Sequence, residues 1–384
     1  MKIKIRLHEL IPDAFSRGAI VHIVEKTGID RHRIGQYLHN KRDTMSLDDV
    51  AQFCEYLIKY VGINPRKLPG ALFGRASASL LELIASHPYL EIVIGERRDV
   101  AGTEHLWVSS DDISLNRVLL EAVTGAAASA CGRKRPEIKP VTVRSPTLAP
   151  LGVVQAEAQR TYDEFEQRET AKALVCIGSQ KINPLSEVVW ARVLGAQPFV
   201  AGNEGALGRR VPVFFWYRDG DPKPPSCAGG SSLADVPHGV PGIHYEDHHG
   251  AWQCCPCTLA EDAALVLYAH RPSHRRPRLM MVLAGFSGRA TRALSKYVAK
   301  LDEQPLARQF AEPCFEQRGL VIGMYVVRFR FAARSPEDPT TSDKAEVIDT
   351  EIIAISSQAI EKRLRAPAPA PRRPAAAAGA APAR

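Results

Sequence analysis

Two continuous apolar runs, each passing directly into a helical pattern, most constrain the fold of this chain. Residues 172–179 read KALVCIGS and residues 278–285 read RLMMVLAG. Runs of this kind are typical of strands that are buried on both faces of a sheet. The first run leads into NPLSEVVWARVL and the second into SGRATRALSKYVAKL, both with helical periodicity. Strands that alternate with helices predict an α/β domain whose largely parallel sheet is covered by helices.

Periodicity and composition divide the 384 residues into five parts and predict a multidomain protein. Residues 1–75 show helical spacing of apolar residues and predict an all-α domain. Residues 76–125 predict a small α+β connecting segment, and residues 126–150, which lack periodicity, predict a linker. The α/β domain is expected over residues 151–365. The Ala- and Pro-rich tail over residues 366–384 is expected to be disordered.

Charge and hydropathy restrict the classes of function. The formal net charge is +8 and the isoelectric point is near 9.1, and a basic balance favours a polyanionic partner. No stretch reaches the roughly 18 uninterrupted apolar residues of a membrane helix. The start, MKIKIRLHELI, lacks the apolar core of a secretory signal because Lys4, Arg6 and Glu9 interrupt it. We therefore expect a cytoplasmic protein without membrane contact, in which most of the eight Cys residues are free thiols.

The stretch EKTGIDRHRIGQYLHNKRD, Glu25 to Asp43, places a glycine between two short apolar-patterned segments. Gly28 suits a tight turn, because glycine adopts the left-handed conformation readily, and Asp30 suits the N-cap of the second segment. On such a helix Arg can read guanine and Gln can read adenine, while the following loop contacts phosphates. The candidate DNA-binding residues are Arg31, His32, Arg33, Gln36, Asn40, Lys41 and Arg42.

These residues resemble the Cro/C1-type helix-turn-helix domain of the Xre family. The matching features are the Thr27-Gly28-Ile29 turn, Ile34 in the second helix, the Asn40-Lys41-Arg42 loop, a following helix with Leu47 and Val50, and Gly62-Ile63 before a last short helix. The resemblance runs from Ile5 to Phe73. It implies a transcriptional regulator that binds double-stranded DNA as a homodimer on paired half-sites. Two alternatives stay open, namely protein–protein docking by the same fold and a helical bundle with a solvated charged face.

The two strand-to-helix junctions in the α/β part place small residues where a strand ends and a helix begins. The candidate ligand-binding residues are Gly178, Ser179, Asn183, Gly285, Ser287 and Gly288. Ligands of open α/β sheets bind at such junctions, and helix N-termini favour anions. Neither junction has the GxxxxGK[ST] or GxGxxG pattern. A small-molecule or nucleotide effector and ordinary turn chemistry are therefore both compatible with the sequence.

The segment HYEDHHGAWQCCPC, residues 244–257, concentrates His and Cys. Cys254 and Cys257 have CxxC spacing and could bind zinc together with His248 and His249. No second CxxC accompanies them, so a polar hairpin with free thiols is the preferred interpretation and no metal or other cofactor is predicted. The GxSxG pattern of a nucleophile elbow is absent and no catalytic residue is predicted. The alternative to a regulator is an enzyme or defence-type effector with an autoregulatory DNA-binding head.

Overall fold

The chain divides into two compact units, Met1–Ala78 and Ser79–Arg384, in the computed structural model. The structure describes residues 3–5, 7, 11, 16–39, 44–62, 73–75, 80–98, 106–129, 136–200, 211–230, 239–271, 277–298, 310, 313–317, 319–332 and 346–365. The tail that the sequence predicts to be disordered, residues 366–384, lies outside the described residues.

Among its described residues, the first unit contains three helices and a two-stranded sheet. Its elements are β1 (Ile3–Ile5), α1 (Arg17–Thr27), α2 (Arg31–Leu38), α3 (Leu47–Lys59) and β2 (Phe73–Arg75). The two strands pair antiparallel, so the expectation of an all-α domain needs correction. Three residues of β1 and three of β2 are too few for a period-two pattern to stand out in the sequence. The helices enclose a small apolar core that includes Ile23, Ile34, Phe53 and Leu57.

Side-chain caps define where these helices begin. Ser16 Oγ accepts a hydrogen bond from Ala19 N, and Ser46 Oγ accepts one from Asp49 N. Asp30 accepts from the backbone N–H groups of His32 and Arg33, as its predicted N-cap role requires. Gly28 follows α1 with φ of 69°, the left-handed conformation that glycine adopts without steric cost.

The second unit contains six helices and thirteen strands among the described residues. Its elements are α4 (Leu80–Ala85), β3 (Tyr89–Arg98), β4 (Leu106–Trp107), α5 (Ser110–Ser129), β5 (Glu137–Arg144), α6 (Leu151–Gln167), β6 (Lys172–Ile177), α7 (Pro184–Leu194), β7 (Val213–Trp216), β8 (Gly229–Gly230), β9 (Gly242–Glu246), β10 (Trp252–Pro256), β11 (Glu261–Arg271), β12 (Arg278–Gly285), α8 (Gly288–Val298), β13 (Phe315–Gln317), β14 (Leu320–Phe331), β15 (Val347–Ala354) and α9 (Ser357–Arg365).

A mixed sheet forms the centre of this unit. Strands β5, β3, β6 and β12 lie side by side and are parallel. The sheet continues through β11, β14 and β15, which are antiparallel to their neighbours. The sequence prediction of a largely parallel sheet therefore holds for one half only. Only six residues of sequence separate the end of β11 from the start of β12, and such short connections produce antiparallel neighbours.

Helices cover both faces of the sheet, which gives the α/β architecture expected from the sequence. On one face, Phe165 of α6, Trp190 of α7 and Ile360 of α9 belong to one apolar core. On the other face, Leu119 of α5 and Leu294 of α8 belong to a second core, together with α4. A smaller four-stranded sheet, ordered β10-β9-β7-β8, contributes to the first of these cores.

The domain boundaries predicted between residues 76 and 150 need correction. β3 is an inner strand of the main sheet, hydrogen-bonded to both β5 and β6, so residues 80–125 are part of the α/β unit and not a connecting segment. The predicted linker contains β5, which lies beside β3. Most side chains of β5 are not buried and the strand contains Pro140, so its sequence lacks the apolar run of an inner strand.

No helix among the described residues is long and apolar enough to cross a bilayer.

Candidate functional site

The outward face of α2 carries most of the described candidate DNA-binding residues. Arg31 and His32 are exposed and Gln36 is partly exposed, whereas Ile34 and Tyr37 on the opposite side are buried in the core of the unit. Gln36 Nε2 lies 3.0 Å from His32 Nε2, one helical turn away. The helix therefore presents a polar ridge of Arg, His and Gln side chains to solvent.

Arg33 is the exception among the candidates on α2. Its guanidinium pairs with the carboxylate of Asp49 in α3, and Tyr37 Oη donates to Asp49 Oδ2 at 2.6 Å. Burial alone would raise the pKa of the Asp49 carboxyl, but the hydrogen bonds from Arg33 and Tyr37 bring it below its usual value. Arg33 thus links α2 to α3 through the buried Asp49, while 42% of its own side chain stays exposed.

The remaining candidates, Asn40, Lys41 and Arg42, lie outside the described residues. The sequence nevertheless fixes the charge of the unit as a whole. Residues 1–78 hold 13 Lys and Arg against 8 Asp and Glu, whereas residues 79–365 hold 34 of each. Positive charge is therefore concentrated in the unit that carries the α2 ridge.

The junction between β6 and α7 is closed by hydrogen bonds within the chain. Asn183 Nδ2 donates to Val93 O and to Ile177 O, both at 3.0 Å, and its Oδ1 accepts from Leu185 N at 3.1 Å. Ser186 Oγ donates to Gly178 O at 2.7 Å. Asn183 therefore joins the ends of β3 and β6 and caps α7, which leaves its amide no free donor for a ligand.

The junction between β12 and α8 is likewise occupied by side chains of the chain. Ser287 Oγ donates to the buried carboxylate of Asp262 and accepts from Arg289 N at 3.2 Å. A side chain at Gly288 would collide with the carboxylate of Asp111, whose Oδ1 accepts from Arg292 Nε at 2.8 Å. Asp111 thus occupies the place at the start of α8 where an anion would be stabilised.

The predicted ligand-binding residues therefore lie at one edge of the sheet, but their contacts stabilise the strand-to-helix turns there. β6 and β12 are adjacent and parallel, so Gly178, Ser179 and Asn183 lie at the same edge as Gly285, Ser287 and Gly288. Gly285 is required by close packing, because a side chain there would collide with Thr291.

Three charged residues at this edge were missed by the sequence analysis, namely the buried Lys181 and Asp262 and the partly buried Asp221. Lys181 is 5% exposed, and its Nζ donates to Asp221 Oδ2 at 3.0 Å and to Phe286 O at 2.9 Å. Burial lowers the pKa of Lys181, and burial raises the pKa of the fully buried Asp262. A lone lysine inside the apolar turn CIGSQKINP was the available signal. The ion pair of Lys181 with Asp221 could not be predicted from the sequence, because the two residues are forty positions apart.

The contacts of Lys181 define what this cluster can do. Its ammonium lies 4.6 Å from the centroid of the Phe286 ring, and Asp221 is also bound by Arg218 at 2.8 Å. Two hydrogen bonds and an aromatic face satisfy the ammonium, so the cluster ties the β6–α7 turn to the loop after β7. The Ser287 hydroxyl donates its proton to the carboxylate of Asp262. A serine nucleophile needs a base that accepts this proton, and the carboxylate is in that position.

The His- and Cys-rich segment forms the β9–β10 hairpin of the small sheet. His244 lies opposite Cys254 in the ladder, with His244 Nε2 at 3.3 Å from Cys254 Sγ. In the turn, the ring centroids of His248 and His249 are 3.7 Å apart and the rings are tilted by 45°. Among the described residues no three His, Cys, Asp or Glu side chains converge as metal ligands. Burial raises the pKa of Cys254 and Cys257 to about 11, so both thiols stay protonated at neutral pH.

No family model matches the sequence, and no curated protein or solved structure is significantly similar to it.

Proposed function

We propose that the chain is a sequence-specific DNA-binding transcriptional regulator whose first unit is a helix-turn-helix module of the Cro/C1 type. The observation that carries the proposal is the polar ridge of α2. A short helix begins at an Asp cap just after a left-handed glycine, turns Ile34, Tyr37 and Leu38 inward, and turns Arg31, His32 and Gln36 outward. This is the arrangement that lets a second helix enter a major groove.

The residues take different roles in this proposal. Arg31 and Gln36 read base edges, because both extend from the exposed face of α2. Arg33 positions the helix through Asp49 and reads no base. Asn40, Lys41 and Arg42 contact phosphates and set the register of the module on the duplex. The excess of positive charge in residues 1–78 supports a polyanionic partner for this unit.

The second unit serves, in this proposal, as the effector-sensing or oligomerising part of a homodimeric regulator. The buried charges at the sheet edge are engaged by ion pairs and backbone groups, and this favours a sensor over the alternative of an enzyme. The enzyme interpretation has one observation in its favour, the convergence of Ser287 and Asp262 at a strand end.

The test begins with genomic DNA fragments retained by the purified full-length protein. We expect the retained fragments to share a motif with two half-sites about one helical turn apart, as dimeric modules of this kind require. Binding of that motif is then measured for Arg31→Glu, with Lys59→Glu as a matched charge reversal on α3, away from the ridge. We expect about a hundredfold loss for Arg31→Glu, from a lost base contact and a repelled phosphate. The control should lose less than about threefold.

Two outcomes contradict the proposal. One is the absence of any enriched motif, which would favour protein–protein docking by the same face. The other is an equal loss for Arg31→Glu and Lys59→Glu, which would show that overall charge and not the α2 ridge controls binding.

A further inference from the structure

The main sheet has a topological switch point between β3 and β6. The chain leaves β3 through α5, on one face of the sheet, and reaches β5 on one side of β3. It leaves β6 through α7, on the other face, and continues to β11 and β12 on the opposite side. Neighbouring parallel strands whose connections leave in opposite directions form a crevice outside their carboxyl ends, where open α/β sheets bind ligands.

Asp112 of α5 lies at this crevice. The residue is 3% exposed, and a methyl group placed at Gly178, just after β6, would lie 3.8 Å from Asp112 Oδ2. Among the residues that the structure describes, Asp112 Oδ2 has no hydrogen-bond partner. The buried Oδ1 atom of Asn116, one turn further along α5, has none within the same part of the chain. Two acceptor oxygens one turn apart on α5 therefore lack donors among the described residues.

A buried carboxylate oxygen without a hydrogen-bond donor destabilises the ligand-free protein. The pKa of Asp112 is raised to about 6, because burial and the nearby Asp111 raise it by more than Arg97 lowers it. The start of α5 favours a negative charge through the helix dipole, but a dipole does not replace a missing hydrogen bond. A group that is buried at a cost and unused by the fold is typical of a binding site.

The surroundings select the chemistry of the ligand. The starts of α7 and α8 are occupied by Asn183 and Asp111, so a phosphate has no helix terminus to bind. The orphan oxygens of Asp112 and Asn116 require hydrogen-bond donors. Arg97 already supplies positive charge near Asp112, so a second cation is disfavoured.

We propose that the crevice between β3 and β6 binds an uncharged ligand through adjacent hydroxyl groups, a vicinal diol, which donates to Asp112 and Asn116. A nucleoside ribose and a free sugar both carry this chemistry. The site goes beyond DNA binding by the first unit, and its test uses no DNA, so the two proposals can fail separately.

The experiment measures ligand binding to the full-length protein by calorimetry and by thermal unfolding. The probes are adenosine and uridine for nucleosides, ribose and glucose for sugars, and 2′,3′-dideoxyadenosine as the probe without a diol. We expect a diol ligand to bind and the dideoxy compound to bind at least about tenfold more weakly. Affinity should also fall between pH 7 and pH 5, because a protonated Asp112 accepts fewer hydrogen bonds.

Two variants separate ligand binding from folding. Asp112→Asn should raise the melting temperature of the ligand-free protein by about 2–4 °C and weaken diol binding at least about tenfold. Asp163→Asn, on an exposed side of α6, is the matched control and should change neither quantity. The proposal is overturned if no diol probe binds to the wild-type protein, or if Asp112→Asn binds the diol as tightly as the wild type. Asp112 would then serve only the first turn of α5.

Discussion

The two units of this chain place their charges in opposite ways. Residues 1–78 carry an excess of Lys and Arg, and the described part of α2 directs Arg31 and His32 into solvent. Residues 79–365 are balanced and bury charged pairs such as Lys181 with Asp221 and Arg363 with Glu246. Exposed unpaired charge is available to a partner, whereas buried paired charge holds elements together. This difference supports our proposal that the first unit recognises DNA, a large polyanion, and that the second unit has structural or small-ligand roles.

The largest effect on stability is expected when the buried ion pair that joins α9 to β9 is removed. Glu246 is 4% exposed, and its carboxylate pairs with Arg363, which is 6% exposed. Glu246→Gln leaves the Arg363 guanidinium buried without its counter-charge, and we expect a loss of about 3–5 kcal/mol in the free energy of unfolding. Urea unfolding monitored by circular dichroism measures it. Glu361→Gln, in the exposed pair with Arg365, is the control and should cost less than about 0.5 kcal/mol.

A smaller effect is expected from two histidines in the second unit. His87 is 1% exposed and its ring lies 5.6 Å from that of His270. Burial, together with the neighbouring His87, lowers the pKa of His270 to about 4, and burial also lowers the pKa of His87.

Since both histidines are neutral in the folded protein, their contribution to stability is present above about pH 6.5 and is lost as the pH falls toward 4. We expect wild-type protein to lose about 1–2 kcal/mol more than His270→Phe between pH 7 and pH 5. His249→Phe, in the hairpin turn, should behave as wild type. A wild-type loss equal to that of His270→Phe would show that the pKa of His270 is not lowered in the folded protein.

Within the first unit, the pair of Arg33 and Asp49, which positions α2, should contribute about 1–2 kcal/mol to the free energy of unfolding. Asp49→Asn removes the charge that binds Arg33 and weakens the hydrogen bond from Tyr37. The pKa of Asp49 is lowered, so its contribution is present at neutral pH and is lost as the pH falls below about 4.

Thermal unfolding of Asp49→Asn and of the exposed neighbour Asp48→Asn measures this contribution. Only the first should also weaken binding to the selected DNA motif, because only Asp49 fixes the angle of α2. If DNA binding by both variants matched wild type, Arg33 would have no positioning role.

The smallest effect on stability is expected from salt. Raising NaCl from 0.1 to 0.5 M should weaken DNA binding by at least about tenfold, because each phosphate contact releases counterions. The same change should alter the unfolding free energy of the second unit by less than about 0.5 kcal/mol, since buried pairs are screened little. A large salt effect on unfolding of the second unit would contradict the distinction between exposed and buried charge.

The sequence predicts some elements of this molecule much better than others, for physical reasons. The apolar runs of β6 and β12 and the caps of α2 and α3 depend on local chemistry, so their positions follow from neighbouring residues. Strand β5 could not be recognised, because it lies beside a single neighbour, β3, and most of its side chains are not buried. The antiparallel half of the sheet depends on how β11 and β14 return, which periodicity does not encode.

In the candidate sites, too, features that depend on neighbouring residues are predictable from the sequence, and features that depend on tertiary contacts are not. The outward direction of Arg31, His32 and Gln36 follows from helical periodicity around Ile34. Arg33 was expected to read bases, but its guanidinium binds Asp49, sixteen residues away. Lys181, Asp221 and Asp262 meet at one sheet edge through tertiary contacts between segments that are distant in the chain. Asp112 has no signal in the sequence, because a missing hydrogen bond is visible only in three dimensions.

The buried ion pair between Glu246 and Arg363 has a consequence for the synthesis of the chain. Its two residues are separated by 117 positions, so β9 emerges from the ribosome long before the helix that neutralises it. Until then Glu246 must stay hydrated or pair with another cation, and the small sheet cannot seal its carboxylate away from water. Completion of the second unit during translation therefore waits for α9, and a ribosome stalled before residue 363 should display a nascent chain with an open, protease-sensitive small sheet.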